Sequence, residues 1–118
     1  MFEITELQLQ KMAPFVLKAF IRREAAFIQN TYPNFAAQLA NEALETFTAG
    51  LISKAKSWGF EAEISVHRFI VVNFEYGWYG DIKDSEILRI LNRKDYSSKE
   101  KLTYIGLVMD SREAANTN

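Results

Sequence analysis

ISVHRFIVVNFEYGW, running from Ile64 to Trp78, decides the fold. Ile64, Val66, Ile70, Val72, Phe74, Tyr76 and Trp78 alternate along it with Arg68 as the one exception, and β-branched residues are abundant, which is the pattern of a strand. Read as a helix, the same stretch collects Val66, Phe69, Ile70, Val72, Phe74 and Tyr76 into one apolar arc, with Arg68 and Glu75 opposite and Asn73 inside the arc. The rest of the chain arbitrates. A strand needs partners, and only Thr103 to Met109 has any strand character elsewhere, in a run that already carries a helix start. The sequence therefore predicts an all-α fold, a compact bundle of about five helices. The alternative is a small α+β fold with Ile64 to Trp78 as a strand. Gly77 is placed to end the helix in the left-handed conformation, and Trp78-Tyr79-Gly80-Asp81 forms the loop leaving it.

Working toward the N-terminus, Phe35 to Trp58 reads as one helix with Ala40, Leu44, Phe47, Leu51, Ala55 and Trp58 on a face. Asn41 can cap its long part, and Gly59 stops it. Before it, Thr5 to Asn30 is helical by period, with Met12, Phe15, Val16, Ala19, Phe20, Ala26 and Phe27 beside a second stripe of Leu17, Ile21 and Ile28. Pro14 removes a backbone donor, so a short helix to about Met12 and a long one starting near Pro14 are expected. Thr31-Tyr32-Pro33-Asn34 ends the second. Toward the C-terminus, Asp84 or Ser85 can cap a short helix to about Arg93 that buries Ile87, Leu88, Ile90 and Leu91. Ser97-x-x-Glu100 has the spacing of a capping box, and Leu102, Ile105, Val108 and Met109 supply the buried face that follows. No repeat, linker or low-complexity segment divides the sequence, so 1–118 is expected to form a single helical domain, with 113–118 a frayed tail.

At 118 residues and 48% hydrophobic content, with nine Phe and five Tyr, the chain can bury a core of its own. Fourteen Lys and Arg against fifteen Asp and Glu leave a formal charge of -1, and neither half is basic. Nucleic-acid binding depends on a concentrated positive surface, which this balance does not provide. There is no cysteine, so disulfides and thiolate chemistry are excluded and a reducing cytoplasm fits. Glu3 and Glu6 stand where a signal peptide is basic, and the apolar runs are too short to span a membrane. A cytoplasmic protein is expected.

Catalytic and metal chemistry find little to work with. His67 is the one histidine and has no Glu three residues before it, and the Glu63/His67 spacing is that of a solvated helix pair. The carboxylates Glu61, Glu63, Glu75, Asp81 and Asp84 are interspersed with Lys and Arg, and no nucleophile elbow or phosphate-cradling loop occurs. No enzyme, cofactor or metal is expected. The aromatic loop differs in kind: Tyr76, Trp78 and Tyr79 flank flexible glycines at the end of a buried element, and Trp and Tyr are enriched in binding hot spots. Tyr76, Trp78, Tyr79, Asp81 and Asn73 are the candidate partner-binding residues, and Tyr32 and Tyr96 can extend the surface.

The order of short motifs resembles a family. Ile4-Thr5 in the first helix, the Tyr32-Pro33 turn, Ala55, Trp58 and Gly59, then Val66-x-Arg68-Phe69-Ile70 leading to Phe74-x-Tyr76-Gly77-x-x-x-Asp81, and finally Ile87-Leu88 resemble small helical proteins encoded beside type VI secretion genes. In such clusters they accompany spike components of the VgrG and PAAR kinds, effector chaperones, toxins and immunity proteins. The chain departs from the pattern at Pro14, Asn73, Gly80 and the Trp78-Tyr79 pair. The resemblance implies a helical fold and a non-catalytic accessory role, as adaptor or co-chaperone, with a protein partner that is an effector toxin, its chaperone or a spike protein. An immunity protein that neutralises a cognate toxin is the alternative, and a homodimer through the wide apolar faces is compatible with the sequence.

Overall fold

The computed structural model describes residues 14–116. Among them are six helices and no strand: α1 Pro14–Thr31, α2 Pro33–Ala36, α3 Asn41–Ser57, α4 Glu63–Glu75, α5 Ser85–Leu91 and α6 Ser98–Asn116. The fold is all-α, and the ambiguous stretch is a helix. Val66, Phe69, Ile70, Asn73 and Phe74 are the buried residues of α4, at steps of three and one along the chain, which only a helix puts on one side. The short helix expected before Met12 lies outside the described residues.

The chain divides into two compact units, one ending at Gly80 and one beginning at Asp81. In the first, α1 packs on α2 and α3, and α3 packs on α4. Its core is formed by Phe20 and Ile28 of α1, Leu44, Leu51, Ile52 and Ala55 of α3, Phe60, and Val66, Phe69, Ile70 and Phe74 of α4. Two glycines end helices here by the same device. At the end of α3, Gly59 has φ +85°; its N–H reaches the Lys56 carbonyl at 3.1 Å, and the Phe60 N–H reaches Ala55 at 3.0 Å. At the end of α4, Gly77 has φ +71°, with Gly77 N–H on the Phe74 carbonyl at 3.2 Å and Trp78 N–H on Asn73 at 2.9 Å. Both pairs form the Schellman pattern, which satisfies carbonyls the helix would leave open.

The helix expected from Phe35 to Trp58 is broken. Pro33 opens the one-turn α2, and Ala37 to Ala40 separate it from α3. Ala40, not Asn41, is the N-cap of α3, and no side chain caps it.

In the second unit α5 packs on α6, and Ile82, Ile87, Leu91 and Ile105 are buried. Asp84 caps α5, accepting the Glu86 and Ile87 N–H groups at 3.0 and 3.3 Å. The capping box at the start of α6 is complete: Ser97 N–H donates to Glu100 Oε1 at 3.0 Å, and Glu100 N–H to Ser97 Oγ at 3.1 Å. The last helix runs through Asn116, into the segment expected to be frayed.

Candidate functional site

The loop after α4 is held far more tightly than its glycines suggest. Asn73 lies fully buried on the core face of α4, and its amide is used on both sides: Nδ2 donates to the Phe69 carbonyl at 2.9 Å, and Oδ1 accepts the Gly80 N–H at 2.9 Å. Its backbone carbonyl takes the N–H groups of Trp78 and Tyr79, at 2.9 and 3.2 Å. Gly80 is pinned from the other side as well, because the Lys54 ammonium donates to its carbonyl oxygen. A Cβ on Gly80 would stand 3.0 Å from Leu51 Cδ2 on a backbone with φ +84°. The loop therefore closes onto α3 and α4 at one point, where only glycine fits.

Tyr79 sits inside this clasp with φ 49°, a left-handed conformation that costs a side-chain-bearing residue roughly 1–2 kcal/mol. Such strain persists only where the surroundings over-determine it. Its ring stacks on Phe35 at 5.2 Å with planes 3° apart and meets Phe74 edge-on at 5.4 Å, yet Tyr79 remains 46% exposed. Around it Phe35 also contacts Phe47 at 4.9 Å, and Tyr32 stacks on Phe74 at 4.3 Å. The outcome is an aromatic patch on the first unit in which Phe74 of α4 lies buried beneath half-buried Tyr32, Phe35 and Phe47 and the exposed Tyr79, built from α2, α3, α4 and the loops beside them. Burial, then the nearby charge of Glu75, pushes the Tyr32 hydroxyl above its usual pKa.

The five residues expected to bind a partner divide accordingly. Tyr79 is at the centre of the patch, and Tyr76 and Trp78 are half-buried with their rings 5.3 Å apart. Asn73 is a correction: with no exposed surface it cannot touch a partner, and its work is to hold the loop. Asp81 falls in the second unit, exposed and paired with Lys83 at 3.3 Å. Phe35, Phe47 and Phe74 join the site unannounced by the sequence, where Phe35 reads as the start of a helix, Phe47 as a position on that helix's apolar face and Phe74 as part of the next apolar arc.

Glu24 is a further residue missed. It sits in a charged run, Arg22-Arg23-Glu24, but is 4% exposed on the core face of α1, one turn from both Phe20 and Ile28. His67 Nδ1 lies 2.6 Å from its Oε1, and the imidazole ring packs edge-on against Phe27 at 4.5 Å. The lone histidine is thus tied to α1. Beside it Arg23 pairs with Glu63. The four-residue spacing from Phe20 to Glu24 to Ile28 could have disclosed the burial.

Among the described residues no group of three or more His, Cys, Asp or Glu could hold a metal ion, and no helix is long and apolar enough to cross a membrane. The chain matches no family model, no curated protein and no solved structure.

Proposed function

We propose that this chain is a non-catalytic accessory protein that binds a protein partner through the aromatic patch centred on Tyr79. The observation that carries the reading is a strained, exposed tyrosine whose loop is pinned at Gly80 by Asn73 and Lys54. Large rigid aromatics lose little side-chain freedom on association and dominate interface energetics. A patch of this kind serves as the anchor of a protein interface, which typically buries about 1,200–2,000 Å² in total. The motif order that resembles proteins of type VI secretion clusters supplies the setting: a cytoplasmic adaptor or co-chaperone whose partner is an effector toxin, its chaperone or a spike protein.

The test is co-purification with the products of the neighbouring genes. Tyr79→Ala and Trp78→Ala are expected to weaken capture at least tenfold while leaving the thermal midpoint within a few degrees, as for an interface hot spot. Unchanged capture by folded variants removes the patch from the proposal. Rescue of cells from a neighbouring toxin by this chain alone would replace the adaptor role with immunity.

A further inference from the structure

The second unit carries a separate groove of about 240 Å³ lined by Glu86, Arg89, Ile90, Arg93 and Tyr96. Glu86, Arg89, Ile90 and Arg93 recur at three- and four-residue steps, so α5 and its continuation turn one side into this groove. Two guanidinium groups a turn apart repel one another unless anions stand nearby. Arg93 has such an anion: Asp95 accepts from its Nε at 2.7 Å and from its Nη2 at 2.6 Å. The same guanidinium lies 4.3 Å above the Tyr96 ring. Fixed on both sides, it has Nη1 donors that no acceptor among the described residues takes.

Arg89 is in the opposite condition. Glu86, three residues earlier, is the carboxylate that helix geometry would offer it, but Glu86 accepts instead from Arg112 Nη2 at 2.8 Å. Among the described residues no carboxylate pairs with Arg89. The groove thus has an uncompensated cation beside a guanidinium with spare donors, over an apolar floor of Ile90 and Tyr96. Its volume is below the several hundred Å³ of a small-molecule pocket and suits one or two side chains. A carboxylate matches the planar donors of arginine.

We propose that this groove binds an acidic side chain of a protein partner, its carboxylate held between Arg89 and Arg93 and the adjoining apolar residue lying on Ile90 and Tyr96. The groove shares no residue with the Tyr79 patch, so either can fail alone.

The experiment titrates the full chain, followed by backbone amide resonances, with the peptide Ac-Glu-Leu-Glu-Leu-NH2 at low salt. Expected are saturable shifts confined to residues 86–97, at least tenfold weaker with the Gln-for-Glu peptide and at least tenfold weaker in the exposed variant Arg89→Gln with its thermal midpoint unchanged. No saturable shift, equal binding of the Gln peptide, or undiminished binding by Arg89→Gln overturns the proposal. A decamer of thymidylate that shifts the same residues at lower concentration than the peptide also overturns it, by assigning the groove to nucleic acid.

Discussion

Asn73 and Gly80 are joined by a single hydrogen bond, from the Gly80 N–H to Asn73 Oδ1 at 2.9 Å, that passes from the core of a helix to the far end of the loop leaving it. Replacing Asn73 with Leu keeps the bulk but strands a buried N–H and frees the Phe69 carbonyl of its extra donor. A loss of about 1–3 kcal/mol is expected in urea unfolding. The Gly80 amide should also exchange its hydrogen much faster, and an unchanged exchange rate would show that the amide does not hold the loop.

Gly80 and Gly50 make a contrasting pair. Gly80→Ala forces a Cβ to 3.0 Å from Leu51 on a left-handed backbone and should cost more than about 1 kcal/mol. Gly50 lies in the middle of α3, and a methyl group added there would meet nothing within 4 Å. Gly50→Ala is expected to stabilise by about 0.5–1 kcal/mol. Thermal melts of the two variants should move in opposite directions.

Removing the imidazole of His67 leaves the buried Glu24 carboxyl without its 2.6 Å partner. His67→Ala should destabilise by about 1–3 kcal/mol, and adding Glu24→Leu to it should recover part of the loss. Additive losses in this double-mutant cycle would mean the two side chains are not coupled.

Arg112 bonds hold the Asp84 carboxyl below its ordinary pKa, with the Ile87 and Glu86 N–H groups adding to the effect. A carboxyl depressed on folding stabilises the native state above its unfolded pKa of about 4 and loses that contribution as pH falls through the lower folded value. Asp84→Asn keeps a good N-cap residue but cannot titrate. The loss of stability in urea between about pH 5 and pH 2.5 should therefore be smaller in Asp84→Asn than in the parent, by at most about 1 kcal/mol for this partly exposed pair. An equal loss would place the acid sensitivity elsewhere.

Much of this architecture is local and therefore readable in the sequence. The stops at Gly59 and Gly77, the Asp84 cap and the Ser97/Glu100 box each depend on residues within a few positions of one another. Asn73 stands out because an amide inside an apolar arc must find partners, although its partner across the loop is not visible in the pattern. What escapes depends on distant neighbours. Glu24 and His67 are 43 residues apart, and the charges around Glu24 mask its inward turn. The break at Ala37 to Ala40 escapes because the apolar period continues across it. The conformation of Tyr79, itself one of the candidates, escapes because a tyrosine at positive φ is against local preference, and the contacts that enforce it come from Lys54, Asn73 and Phe35. Buried Lys101 in α6 is a similar case: burial pushes its ammonium below the usual lysine pKa.

Glu86 has a single carboxylate within reach of two claimants, Arg112 by its observed bond and Arg89 by its helical spacing. Removing Arg112 would leave Glu86, which lines the groove, free to pair with Arg89 instead. Reciprocity then requires that an anion seated on Arg89 keep Glu86 on Arg112 and draw α5 and α6 more firmly together.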